Sequence, residues 1–100
     1  MRRKKNNDFT LSKMYCCKCG HEGINIPRKT NSYREAGHLK KLYCIFCKQE
    51  WNHAEVRDIY SNYNYNDFLL EMKYNNFDEE GNRKEPYKIF KENLRQKGLI

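Results

Sequence analysis

The chain has 100 residues, a formal net charge of +7 and a mean hydropathy of −1.13. Its length suits one small domain with a tail, and no stretch approaches the roughly 18 consecutive apolar residues of a membrane span. Leu, Ile, Val and Phe make up 19 of the 100 residues, just under the roughly 20% below which a highly charged chain is expected to be disordered. We therefore expect a cytoplasmic protein without membrane contact, in which apolar burial alone would give a marginal core.

Residues 1–13 are predicted to form a flexible basic arm, since Arg2-Arg3-Lys4-Lys5 is followed by two asparagines. The segment has no apolar stretch or small-residue cleavage site typical of a secretory signal. Cysteine thiols should therefore stay reduced. Such an arm is either a contact for nucleic acid or a solvated tail that helps solubility.

Residues 14–60 carry two C-x-x-C motifs, which we call the first clasp (residues 16–19) and the second clasp (residues 44–47). Two such motifs in a short intracellular chain are typical of one zinc site. Four thiolates complete the tetrahedral shell of a structural zinc and leave no position for water or substrate. The predicted ligands are Cys16, Cys19, Cys44 and Cys47.

Three other roles are open to cysteines in this arrangement besides zinc binding. Disulfides need an oxidising compartment, and a redox dithiol needs one C-x-x-C in an alternating βαβ pattern, which is absent from the sequence. Iron also suits four thiolates. Zn²⁺ is the preferred prediction.

The remaining cysteine and the histidines near the clasps need a separate interpretation. Cys17 could replace Cys16 as a ligand but lacks the correct spacing, so we take it as a spare, partly buried thiol. His21 is the natural replacement ligand if a cysteine of the first clasp proves unbound. His38 and His53 are expected to be ordinary strand or loop residues.

The strands around the clasps are predicted from local patterns. Residues 14–19 enter the first clasp as a strand, and residues 23–26 return as a second strand that Pro27 ends. Residues 41–44 enter the second clasp, and residues 49–57 leave it. The connection between the clasps is predicted to be partly helical around residues 32–41, although Gly37 disfavours a helix there.

The connection between the clasps is basic and has aromatic residues among its cations. Such a mixture suits phosphate contact combined with base stacking. Tyr43, Phe46 and Trp51 could instead pack beside the metal, and for Trp51 we prefer that alternative. The predicted nucleic-acid contacts are Arg28, Lys29, Arg34, Lys40, Lys41 and Lys48.

Residues 61–100 are predicted to be an Asn/Tyr-rich linker followed by a helical extension. Asn66 or Asp67 could cap a short helix with Phe68, Leu69 and Met72 on one face. Residues 75–82 form a loop whose carboxylates lack the spacing of a calcium site. Residues 86–98 give the clearest helix, with a proline in its first turn and a glycine at its end.

Catalytic motifs are not convincing. The sequence His53-Ala54-Glu55 matches the H-x-E of zinc deaminases, but it follows both clasps instead of preceding its C-x-x-C. Four thiolate ligands would also deny a catalytic zinc its open position. No histidine pairing between the clasps suits an HNH-type nuclease. We therefore expect no enzymatic activity.

The two clasps, the basic run at residues 37–43 and the polar residues 52–55 together resemble the small zinc-ribbon proteins of phages and prophages of low-GC Gram-positive bacteria. The resemblance covers residues 14–57 and implies metal ligation by the four named cysteines. The predicted strands and helices together give a small α+β fold, a zinc ribbon of two knuckle hairpins with a C-terminal helical extension. The doubled cysteine and the tail depart from that pattern.

The distribution of charge along the chain favours one of the functions that remain, although the adaptor alternative ranks close behind. Residues 1–60 hold 13 Lys and Arg against 6 Asp and Glu, whereas residues 61–100 hold 7 of each. A basic surface attracts polyanions, so we expect a phage or prophage regulatory protein that binds nucleic acid. The alternative is an adaptor or inhibitor that docks on a host RNA polymerase or a defence nuclease through its terminal helix and tyrosines.

Overall fold

The computed structural model describes residues 9–29, 37–56 and 63–100, except for the side chains of Phe9, Thr10 and Lys29. Four strands form one antiparallel sheet in the spatial order β2-β1-β4-β3. The strands are β1 (Phe9–Cys16), β2 (Ile26–Lys29), β3 (Leu39–Cys44) and β4 (Gln49–Val56). Two helices follow, α1 (Tyr65–Lys73) and α2 (Tyr87–Gln96). The predicted small α+β class is confirmed. The run Arg2-Arg3-Lys4-Lys5 lies outside the described residues.

The central strands β1 and β4 are buried on both faces where residues 14–16 pair with residues 53–55. Successive side chains of a strand point to opposite faces, and the register pairs Tyr15 with Ala54 on the face that the helices cover. On the other face Met14 and His53 are completely buried. Both clasps lie at the end of the sheet where β1 and β3 finish.

Strand β2 differs from its prediction. It runs from Ile26 to Lys29 and contains Pro27, which was expected to end the strand. Proline is tolerated here because β2 has a neighbour on one side only among the described strands, and proline in sheets is largely confined to such edge positions. Before β2, Glu22 pairs with Tyr15 as an isolated bridge.

Strand β3 also replaces a predicted element. The proposed helix over residues 32–41 is wrong from Leu39 onwards, where the chain is already extended and paired with β4. Residues 30–36 lie outside the described part of the chain. Cross-strand pairing thus overrides a weak helical pattern, and the strand starts two residues earlier than predicted.

Helix α1 begins earlier than predicted because a different residue caps it. The Asn64 side chain accepts a hydrogen bond from the Asp67 N–H at 3.1 Å, and the Asp67 carboxylate accepts one from the Asn64 N–H at 2.8 Å. This reciprocal capping box satisfies two free donors of the first turn. Phe68 is buried as predicted, but Leu69 is 43% exposed, and Glu71 occupies the buried position instead.

Helix α2 agrees with its prediction. Phe90 and Leu94 are buried, and Tyr87 on the same side is half-buried. The helix ends in a Schellman motif, in which the Leu99 N–H donates to the Leu94 carbonyl at 2.9 Å while Gly98 adopts φ +77°. The Tyr87 hydroxyl donates to the Asp67 carboxylate and so ties α2 to α1.

The main core forms between the sheet and α1, and it draws on both halves of the chain. Tyr15 stacks near Phe68 at a ring distance of 5.4 Å, and Phe68 contacts Phe77 at 5.9 Å. Its buried members are Tyr15, Cys17, Ala54, Val56, Tyr63, Phe68 and Phe77. Residues 63–77, predicted to be linker, short helix and loop, therefore supply much of the apolar packing that the sheet requires.

A buried polar network fixes this packing. The Glu71 carboxylate is fully buried and pairs with Arg83, whose Nε lies 2.7 Å from Oε2. The same carboxylate accepts hydrogen bonds from the Tyr63 hydroxyl and, at 2.6 Å, from the Asn76 amide. Burial and the neighbouring Glu71 charge raise the pKa of Tyr63, so it stays a hydrogen-bond donor. A buried charge needs such complete pairing.

Candidate metal centre

The two clasps have the same local geometry. In the first clasp the Gly20 N–H donates to the Cys16 carbonyl at 2.8 Å, and in the second the Lys48 N–H donates to the Cys44 carbonyl at 2.7 Å. Gly20 and Lys48 both have positive φ, at 81° and 60°. The chain thus makes one tight turn at the end of β1 and the same turn between β3 and β4.

Four sulfur atoms converge where these turns meet. The Sγ atoms of Cys16 and Cys47 are 3.9 Å apart, and those of Cys19 and Cys44 are 3.5 Å apart. All four lie within 4.8 Å of one another. Four ligands at about 2.3 Å in a regular tetrahedron would be separated by about 3.8 Å. The predicted ligand set is therefore brought together and is placed to hold one metal ion.

Backbone amides support the sulfur cluster. The Lys18 N–H donates to Cys16 Sγ and the Cys47 N–H to Cys44 Sγ, both at 3.4 Å. Cys16 and Cys44 are buried, whereas Cys19 and Cys47 are half-buried. Amide donors stabilise negative sulfur, so these two hydrogen bonds act to lower the pKa values of Cys16 and Cys44.

The thiols nevertheless differ in acidity. Burial acts to raise the pKa of Cys44, but hydrogen bonds from the Cys47 amide and the Cys19 thiol outweigh it and lower that pKa to about 7. Burial raises the pKa of Cys16, and burial followed by thiol hydrogen bonds raises that of Cys47 to about 12. Binding of a cation to all four sulfurs must therefore release protons.

Neither substitute ligand joins the sulfur cluster. The Cys17 side chain is 3% exposed and belongs to the main core, and burial raises its pKa, so its thiol stays protonated. His21 instead stacks on Phe46 with ring centroids 3.9 Å apart and an interplanar angle of 15°. This stack has no sequence signal, because its two residues are 25 positions apart and belong to different turns.

The H-x-E motif has a structural explanation. His53 is fully buried and its Nδ1 lies 2.9 Å from the Trp51 carbonyl oxygen. Glu55 is buried and accepts hydrogen bonds from the Ser12 hydroxyl at 2.6 Å and from two Arg28 nitrogens at 3.0 and 2.9 Å. Both side chains therefore support the sheet.

The predicted nucleic-acid contacts separate into three groups. Arg28 pairs with the buried Glu55 and its side chain is only 13% exposed, so it is not presented to a ligand. The Lys29 side chain and all of Arg34 lie outside the described residues. Lys40, Lys41 and Lys48 are exposed on the β3–β4 hairpin. We call these three lysines the basic edge.

Tyr43, Phe46 and Trp51 do not form a small apolar core beside the candidate metal centre. Tyr43 is 57% exposed and Phe46 is 55% exposed. Trp51 is half-buried, and the Lys18 ammonium lies 4.9 Å from its ring centroid. These aromatic side chains contribute little burial, so apolar packing gives little stability to this end of the sheet and a bound metal would add to it.

No known protein family, curated protein or solved structure matches the chain. Within the described residues, neither helix has the length and apolar character needed to cross a membrane.

Proposed function

We propose that the metal is Zn²⁺, that it is structural, and that the two clasps form a zinc ribbon. The donor set supports zinc because four cysteine sulfurs at tetrahedral spacing give the closed shell of structural zinc sites. A closed shell leaves no coordination position for a substrate, so the zinc itself would not catalyse a reaction, and the proposed activity of the protein is binding. Zinc would supply folding free energy to the end of the sheet.

We further propose that the protein binds nucleic acid through the basic edge. Lys40 and Lys41 are consecutive in β3 and therefore point to opposite faces of the sheet. Among the described strands β3 has a neighbour on one side only. A polyanion that lies along the outer side of β3 can thus be reached by lysines from both faces, and by Lys48 at the turn.

The observation that carries this proposal is the position of the lysines relative to the metal. Cys44 ends β3 and Cys47 lies in the turn before β4, so the ion would fix the hairpin that presents all three lysines. Phosphate contacts by lysine position a protein without reading sequence. The protein is therefore expected to bind with limited sequence preference, as suits a regulatory protein of broad target range.

Fluorescence anisotropy with a labelled oligonucleotide, repeated at several salt concentrations, tests the proposal. The double substitution Lys40→Glu with Lys41→Glu should weaken binding at least about tenfold and reduce the slope of log K against log salt by about two. The matched control is Lys88→Glu with Lys97→Glu, which makes the same change in charge at two exposed positions, one in α2 and one at its C-cap. Equal losses in both double variants would contradict a defined basic edge.

One observation favours the adaptor alternative as a second candidate. Helix α2 buries Phe90 and Leu94 but leaves Ile89 53% exposed, and Leu99 and Ile100 are each 47% exposed. Docking of this apolar surface on a host protein would respond little to salt. Absence of salt-dependent nucleic-acid binding in the zinc-loaded protein would favour this candidate. A phage or prophage origin stays a prediction.

A further inference from the structure

The stacked pair His21 and Phe46 lies at the outer end of the metal centre. His21 follows the first clasp and Phe46 belongs to the second, and the two rings are nearly parallel at 3.9 Å. Both residues are exposed. The two turns that hold the sulfurs therefore also present a pair of flat rings to solvent.

The apolar side chains around Phe46 are exposed, so packing in the core does not explain them. Phe46 is 55% exposed, and its neighbours Ile45 and Tyr43 are 71% and 57% exposed. Large apolar side chains grouped on the surface of a small protein commonly mark a binding site. A site made of flat rings suits a flat ligand, because aromatic rings stack face to face or with an offset.

The charge next to the rings indicates which flat ligand fits. Lys48 lies two residues after Phe46 in the same turn, and β3 leads from the turn back to Lys41 and Lys40. At about 3.3 Å per residue, Lys40 lies about 13 Å along the strand from Cys44. The two rings lie at one end of the basic edge. This arrangement suits a ligand chain that carries both planar groups and phosphates.

We propose that the His21–Phe46 pair is a base-stacking platform and that the nucleic acid bound is single-stranded; this rests on the proposed function. In a duplex the bases already stack on one another and do not present their faces to a protein. An unpaired base can leave its strand and stack on the outer ring face while its phosphates reach the basic edge. Stacking of this kind tolerates any base.

The test compares a labelled single strand of about 12 nucleotides with a duplex of the same sequence, with inorganic polyphosphate as a charge-only competitor. Phe46→Leu keeps the apolar volume and removes the aromatic face, so it should weaken single-strand binding about tenfold and leave duplex and polyphosphate binding unchanged. His21→Ala, in the other turn, should have a similar effect. Ile24→Ala is the control, since it removes an exposed apolar side chain that belongs to neither clasp and to no ring.

The outcomes separate this inference from the proposed function. Zinc content is measured for each variant, and if Phe46→Leu loses metal, the result for His21→Ala decides. Failure of the unmodified, zinc-loaded protein to bind either nucleic acid would overturn both proposals. Binding that depends on Lys40 and Lys41 but is unaffected by both ring substitutions would overturn the platform alone. So would equal losses for single strand, duplex and polyphosphate.

Discussion

Arg83 donates a hydrogen bond from its guanidinium Nη1 to the Gly37 carbonyl at 2.9 Å, across 46 residues of sequence. The same guanidinium pairs with the buried Glu71 of α1. It also lies over the Tyr63 and Phe77 rings, at 5.5 and 5.4 Å from their centroids. One side chain thus joins the start of β3, helix α1 and the aromatic core.

Replacing Arg83 should therefore destabilise the whole protein. Arg83→Met keeps the length of the side chain but leaves the Glu71 charge buried and unpaired, which costs about 3–5 kcal/mol. Arg95→Met is the control, because Arg95 forms an exposed pair with Glu92 and should cost less than about 0.5 kcal/mol. Urea unfolding of both variants with zinc bound measures the difference, and similar midpoints would contradict a structural role for Arg83.

Gly37 should tolerate no side chain. It has φ +69°, and an added Cβ would lie 2.9 Å from an Arg83 nitrogen and from a Tyr63 ring carbon. Gly98 has a similar φ of +77° with nothing within 4 Å. Gly98→Ala should cost about 1 kcal/mol from backbone strain alone, whereas Gly37→Ala pays the same strain plus the clash. Thermal unfolding should rank Gly37→Ala clearly below Gly98→Ala, and equal midpoints would show that Tyr63 and Arg83 move freely.

Loss of one ligand should remove the metal. Cys47→Ser replaces a thiolate with a poor zinc ligand, and we expect native mass spectrometry to find one zinc in the parent protein and none in this variant. Cys17→Ala should keep its zinc, because that thiol packs in the core. Circular dichroism should show loss of sheet after chelation. An unchanged spectrum in demonstrably metal-free protein would contradict structural zinc.

The ion pair between Arg28 and Glu55 should contribute to stability in a pH-dependent manner. Burial acts to raise the pKa of Glu55, but hydrogen bonds from Arg28 and Ser12 outweigh it, so the pKa lies below its usual value. A lowered folded-state pKa means that the pair contributes fully above the unfolded value of about 4.3 and is lost as the pH falls through the folded value.

Glu55→Gln should therefore cost about 3 kcal/mol at pH 7, and the difference from the parent protein should shrink below pH of about 4.3. Acid loss of the metal affects both proteins and cancels in the comparison. Glu92→Gln, at an exposed position, is the control and should show little difference at any pH. A difference for Glu55→Gln that persists undiminished in acid would argue against the ionised pair.

The candidate site was largely predictable from sequence because its information is local. Each C-x-x-C turn places two sulfurs together, and the strands on either side follow from short patterns, so Cys16, Cys19, Cys44 and Cys47 could be named. Helix α2 was predictable for the same reason, since Gly98 and a proline mark its ends.

The remaining features depend on contacts between distant residues. Arg28 looks like a surface cation in sequence, and only the fold reveals that Glu55, 27 residues later, faces it across the sheet. Glu71 looks like a solvent-facing helix residue, but folding places it against Arg83 in the core. Spacing rules carry no information on such pairs, which explains why the tail was predicted to be a linker and extension.

Strand β3 is anchored at both ends by different chemistry. Cys44 holds its last residue to the sulfur cluster, and the Gly37 carbonyl, two residues before its start, is bound by Arg83. Stripping the ion would release the hairpin tip while the opposite end stays fastened to the helices. Amide exchange in the metal-free protein should accordingly vary along the strand, fast near residue 44 and slow near residue 39. The metal-free protein would then lose ligand binding while the rest of the molecule stays folded.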